Sequence, residues 1–192
     1  MPYVLVKNAI EIGKLKGNQR KLINLMFVKY YCSDDFKILM ETVDSWKINP
    51  LFKPRMKMLR DCVQTLRAGK GKFNACNVVL PTLIAQVDGI GSDFLKTKGY
   101  TPNKTRWKDL SSGKLVSTKK GLQNTIVVED LYEEATYILL DVLFQTAYPG
   151  QQLSIGRSFS RHKILHGEAL RYGTIDNVVR AFLILDWLSD LK

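Results

Sequence analysis

The sequence predicts an all-α fold, a compact helical bundle, on three observations. Apolar residues recur at helical spacing along most of the chain, as in Leu22, Leu25, Met26 and Val28. Helix punctuation divides the chain at Ser33-Asp34-Asp35, Gly69-Lys70-Gly71, Tyr148-Pro149-Gly150 and Tyr172-Gly173-Thr174. No alternating strand pattern persists.

Residues 3–15 form a short mixed segment with no assigned structure. Asn18 to Tyr31 reads as a helix with a broad apolar face. Ser33-Asp34-Asp35 then supplies a cap and negative charge for a second helix, Phe36 to Trp46. Pro50 and Pro54 bracket a boundary, so residues 1–50 read as a helical N-terminal extension and 51–192 as the main domain. Pro54 to Ala68 is a third helix, turned at Gly69-Lys70-Gly71 into a partner from Phe73 to Ile90 that Pro81 bends. Residues 92–124 read as a long basic loop, broken by Gly99, Pro102, Gly113 and Gly121. Its cations interleave with Tyr100 and Trp107, a composition suited to phosphate contact and base stacking; the competing reading is a solvated insertion. Glu129 to Ala147 follows as a helix with an acidic first turn. Ser158 or Ser160 caps a short helix, Tyr172-Gly173 ends it, and Thr174 caps the last one, Ile175 to Leu191. That last helix is apolar nearly all round, which suits a central helix or a dimer surface.

At 192 residues the chain is long enough for a packed core, and its net charge of +11 is its informative bulk property. Such a balance favours a polyanionic partner, nucleic acid or an anionic surface. Cys32, Cys62 and Cys76 show no metal-ligand spacing and read as reduced, buried thiols. The start lacks the apolar run of a signal peptide, and no stretch approaches ~20 consecutive apolar residues. The expectation is therefore a cytoplasmic protein with no membrane span.

Function is expected in Ser160-Arg161-His162-Lys163-Ile164-Leu165-His166-Gly167, which contains both histidines of the chain. His162 and His166 stand at helical i,i+4 spacing. One reading is metal binding, but Lys163 takes the place of a zinc protease's glutamate and no third ligand is evident. A second is a pair of histidines satisfied at a helix contact. It is weakened by the concentration of positive charge at Arg161, His162, Lys163 and His166. The third is phosphodiester chemistry. Histidine exchanges protons near neutrality, and an arginine can clamp a phosphate. RNA supplies its own nucleophile, so no metal or cofactor is needed and the product is a 2′,3′-cyclic phosphate.

The span Arg161-His162-Lys163-Ile164-Leu165-His166 resembles the R-x4-6-H signature of HEPN-domain proteins, with a polar residue after the arginine and Gly167 after the histidine. Tyr172-Gly173-Thr174 and Asn177 downstream, and Leu80 to Ile90 upstream with Asp88 before Gly89, are similar to motifs of a group of bacterial HEPN-like proteins. The resemblance covers about residues 54–192. It implies a helical bundle, a homodimer, and one composite ribonuclease site built from two copies of the motif. Carried over, His166 is the general acid/base, Arg161 the phosphate clamp and His162 the orienting polar residue. Asp88, Gly167, Tyr172 and Asn177 support the site. Arg157, Lys163, Lys119 and Lys120 are expected to contact RNA as cations. On an ideal helix Arg161 and His166 lie roughly 140° apart. Either the long arginine reaches round, or each residue acts with a partner from the other subunit.

The functional expectation is thus a metal-independent endoribonuclease in bacterial toxin or antiphage defence, with an antitoxin or another defence subunit as a further partner. The alternative is a non-catalytic HEPN module that binds RNA or nucleotide as a sensor or assembly subunit. A third, weaker possibility is a helical protein whose basic surface meets DNA.

Overall fold

Where apolar residues recur every three or four positions, the chain coils and buries that face. The computed structural model describes residues 3–14, 17–125, 164–166 and 171–191. It is mostly helical with one small antiparallel sheet. The chain divides into two compact units, Met1–Leu83 with Gly173–Asp190, and Ile84–Tyr172.

The first unit begins with α1 (Tyr3–Gly13), in the segment that sequence left unassigned. Asn18 caps α2 (Gln19–Ser45), its Oδ1 accepting from the Lys21 amide at 3.3 Å. The break expected at Ser33-Asp34-Asp35 exists, but as a left-handed kink rather than a plain helix start. Ser33 is extended, and Asp34, Asp35 and Phe36 have φ of 47°, 53° and 61°. Each left-handed residue costs roughly 1–2 kcal/mol, so the kink needs anchors. Phe36 is buried, Ser33 Oγ donates to the Tyr30 carbonyl at 3.0 Å, and Arg67 Nε donates to the Asp35 carbonyl at 2.7 Å.

Two 3-10 turns, Trp46–Ile48 and Lys53–Arg55, lead into α3 (Met56–Gly69). Its Met56, Leu59, Cys62, Val63 and Leu66 are buried on one face. The closing described helix of this unit, α6 (Ile175–Ser189), is capped as sequence indicates, Thr174 Oγ1 accepting from the Asn177 amide at 3.3 Å. It is buried on most sides, which makes it the unit's central helix. Trp46 joins this core. Its ring lies 5.3 Å from Phe52 and 6.3 Å from Phe182, and its Nε1 donates to Asp186 Oδ1 at 3.0 Å. Asn49 Nδ2 donates to the Ser189 carbonyl at 2.9 Å. Trp46 and Asn49, both before position 50, are thus tied to α6 within the same unit.

α4 (Cys76–Thr97) runs unbroken through Pro81 and the two units divide within it. It was expected to stop at Ile90 but continues to Thr97. Each glycine costs a helix about 1 kcal/mol. Burying Ile90, Phe94 and Leu95 outweighs Gly89 and Gly91. With an 18-residue window of mean hydropathy 1.3, α4 is long and apolar enough to cross a membrane by length and composition alone, a property that core helices share; half of that window is buried inside the protein.

The mostly helical fold meets the all-α expectation in part; the second unit adds a small sheet to it. Residues read as loop form a three-stranded antiparallel sheet of β1 (Tyr100–Asn103), β2 (Arg106–Asp109) and β3 (Leu115–Val116). These strands are too short for an alternating pattern to stand out, and Pro102 and Gly113 read as breakers. α5 (Thr118–Thr125) follows, with Leu122 buried. Gly121 serves close approach rather than chain-breaking, since a Cβ there would stand 3.0 Å from Leu95 Cδ2. The expected helix over 129–147 lies outside the described residues, and so does the one entered at Ser158 or Ser160 except at Ile164, Leu165 and His166.

Candidate functional site

The histidine stretch is described at Ile164, Leu165 and His166. Ile164 is 4% exposed, Leu165 is 43% exposed, and His166 is an exposed turn residue. A buried isoleucine two positions back thus anchors the backbone while the imidazole is presented at the surface. Arg157, Arg161, His162, Lys163 and Gly167 lie outside the described residues.

Asp88, Lys119, Lys120, His166 and Tyr172 belong to one compact unit and Asn177 to the other. Asp88 is half-buried in the middle of α4, not at the helix end that sequence placed it near. Tyr172 is half-buried. Lys119 is half-buried and Lys120 exposed in the first turn of α5, where the Lys120 amide donates to Ser117 Oγ at 3.3 Å.

Asn177 is 1% exposed, and its Oδ1 accepts from Arg180 Nη1 at 2.8 Å. Its amide completes the Thr174 cap. These bonds give Asn177 a structural task at the start of α6. The neighbouring Gly173 has one as well. A Cβ on Gly173 would collide with Asn77 Oδ1, and Asn74 Nδ2 donates to the Gly173 carbonyl at 2.9 Å. Asn74 Oδ1 also accepts from the Cys76 amide at 3.1 Å, at the start of α4. Gly173, Thr174 and Asn177 therefore have steric and capping reasons to be what they are.

The basic segment is rearranged relative to the sequence expectation. Tyr100 and Trp107 are 6% and 7% exposed, so they do not offer rings for base stacking. The register pairs Tyr100 with Asp109, and Pro102 and Val116 with Trp107. These residues share the inward face, where Trp107 Nε1 donates to Thr118 Oγ1 at 3.1 Å and ties the sheet to α5. The outward face carries Thr101, Asn103, Arg106, Lys108 and Leu115, all exposed. The alternation Arg106-Trp107-Lys108, cation-aromatic-cation, was the available signal for this arrangement.

At the β2–β3 turn Asp109 accepts from the Ser111 hydroxyl and the Ser112 hydroxyl, each at 2.7 Å, and from the Ser111 amide at 2.9 Å. Those bonds, Ser112's first, hold its carboxyl down at about 2. The cysteines are free thiols: Cys62 is buried, while Cys32 and Cys76 are half-buried rather than buried. Burial pushes Cys32 up to about 12 and Cys62 up to about 11, away from reactive thiolate chemistry.

Compared with family models, curated proteins and solved structures, the chain matches none.

Proposed function

We propose that the chain is a metal-independent endoribonuclease of HEPN type, acting as a homodimer. The observation that carries this reading is the surface presentation of His166 beside a buried Ile164, in a chain of net charge +11. A surface imidazole can approach a polyanion without first being uncovered.

In this mechanism one His166 accepts the proton of a ribose 2′-hydroxyl, and the freed oxygen attacks the adjacent phosphorus. The bond to the 5′-oxygen breaks as a second acid, His166 of the other protomer, donates a proton to it. The products are a 2′,3′-cyclic phosphate and a 5′-hydroxyl. Arg161 neutralises the charge that builds on the non-bridging oxygens, and His162 orients the phosphate. Bacterial toxin or antiphage defence is the setting proposed with this chemistry, and an antitoxin or defence subunit the proposed regulator.

The experiment is incubation of purified protein with total RNA in EDTA, wild type beside His166→Ala. Cyclic-phosphate ends from wild type alone support the reading. RNA binding with no cleavage by wild type would replace it with a non-catalytic RNA-binding module.

A further inference from the structure

Between Lys98 and Lys120 the chain places seven cations, Lys98, Lys104, Arg106, Lys108, Lys114, Lys119 and Lys120, against a single carboxylate, Asp109. Folding sorts these charges by face. Arg106 and Lys108 stand two residues apart on β2, hence on one face and about 7 Å apart along the strand. Asn103 lies opposite Arg106, and Thr101 and Leu115 lie opposite Lys108. Lys104 in the β1–β2 turn and Lys114 before β3 add exposed charge at the ends of the strands. Asp109 belongs by register to the other face, and its carboxylate is engaged by Ser111 and Ser112. Among the described residues neither Arg106 nor Lys108 forms an ion pair. Like charges held together without counter-charge repel, and a bound polyanion relieves that repulsion.

We infer that the outward face of this sheet is the docking surface for the backbone of a single RNA strand, with Arg106 and Lys108 holding successive phosphates and Thr101 and Asn103 supplying neutral donors beside them. This rests on the ribonuclease reading for its choice of RNA. The exposed outward face can run alongside an extended strand, and the pitch of the two cations suits neighbouring phosphates. Tyr100 and Trp107 point inward, so the face has no aromatic platform. Binding is therefore backbone-driven, nearly indifferent to base sequence, and steeply salt-dependent.

The test uses a fluorescent 2′-O-methyl RNA strand, which cannot undergo 2′-oxygen attack, with anisotropy titrations at several salt concentrations. Wild type is compared with Arg106→Gln/Lys108→Gln and with Lys47→Gln/Lys53→Gln, an equal charge change at exposed lysines elsewhere. Losing two phosphate contacts flattens the log–log salt slope by about 1.4, which is about 25-fold in affinity at 0.1 M salt. The control pair should change affinity less than about 2-fold. Equal loss in both pairs, or none in the sheet pair, overturns the assignment. So does binding to phosphatidylserine vesicles that the sheet variant loses while RNA binding is unaffected. If wild type cuts no RNA but the sheet variant still loses binding, the docking surface stands and only the ribonuclease reading fails.

Discussion

Replacing Gly173 with alanine separates a structural from a catalytic reason for the Tyr172-Gly173-Thr174 sequence. The added methyl collides with the side chain of Asn77 and would lie 2.9 Å from the Asn77 backbone nitrogen. The side chain can turn away, but the backbone belongs to the first turn of α4 and yields only if the helix start shifts. Overpacking of this kind costs about 1–3 kcal/mol. Displacement also strains the bond from Asn74 to the Gly173 carbonyl, worth about 1 kcal/mol. The sum, about 2–4 kcal/mol, corresponds to a melting temperature lower by roughly 4–16 °C for a chain of this size. Thermal and urea denaturation followed by circular dichroism provide the assay. Asn77→Ala added to Gly173→Ala should recover the side-chain part of the loss and leave the backbone part. A Gly173→Ala protein within 0.5 kcal/mol of wild type would refute the steric argument.

Three further outcomes follow from the same geometry. Trp46→Phe removes the indole donor to Asp186 and opens space between Phe52 and Phe182. It should cost about 2–3 kcal/mol in urea melts, and a neutral result would mean that Trp46 is not core. Lys119→Gln/Lys120→Gln should flatten the salt dependence of RNA binding, and an unchanged slope would remove both lysines from the site. Asp109 has a folded value of about 2, below its ordinary 3.8. Its contribution is present above the unfolded value and is lost as pH falls from there towards 2. Relative to its intrinsic exchange rate, the protection of the Ser111 amide should fall over that window, and Asp109→Asn should remove that fall; unchanged wild-type protection across the window would contradict the assigned bonds.

Sequence revealed the helices with long amphipathic faces or strong caps. α3 was legible because its apolar residues keep one face over several turns, and α6 because Thr174 announces its start. The left-handed kink at Asp34, Asp35 and Phe36 was legible only as a break. Its handedness depends on Arg67, a residue distant in sequence that holds the Asp35 carbonyl. The sheet was missed because β1 and β2 have four residues each and β3 two, and because its register is set by Trp107 meeting Thr118 and by tight turns. Tyr100 and Trp107 were read as stacking rings since composition does not say which way a side chain points; pairing turned them inward and left Arg106 and Lys108 outside. Of the candidate site, the sequence singled out His166 and the basic segment. It could not separate Asn177 as a structural residue of α6 from Asn177 as a site residue, because that distinction rests on its burial and its bond to Arg180.

The most direct measurement is the appearance of 2′,3′-cyclic phosphate ends on RNA incubated in EDTA with wild-type protein and with His166→Ala. The account predicts cyclic ends from wild type and a loss of at least 100-fold, on the order of the whole general acid–base contribution, in the variant with an unchanged melting temperature. Cleavage by His166→Ala at the wild-type rate would contradict it.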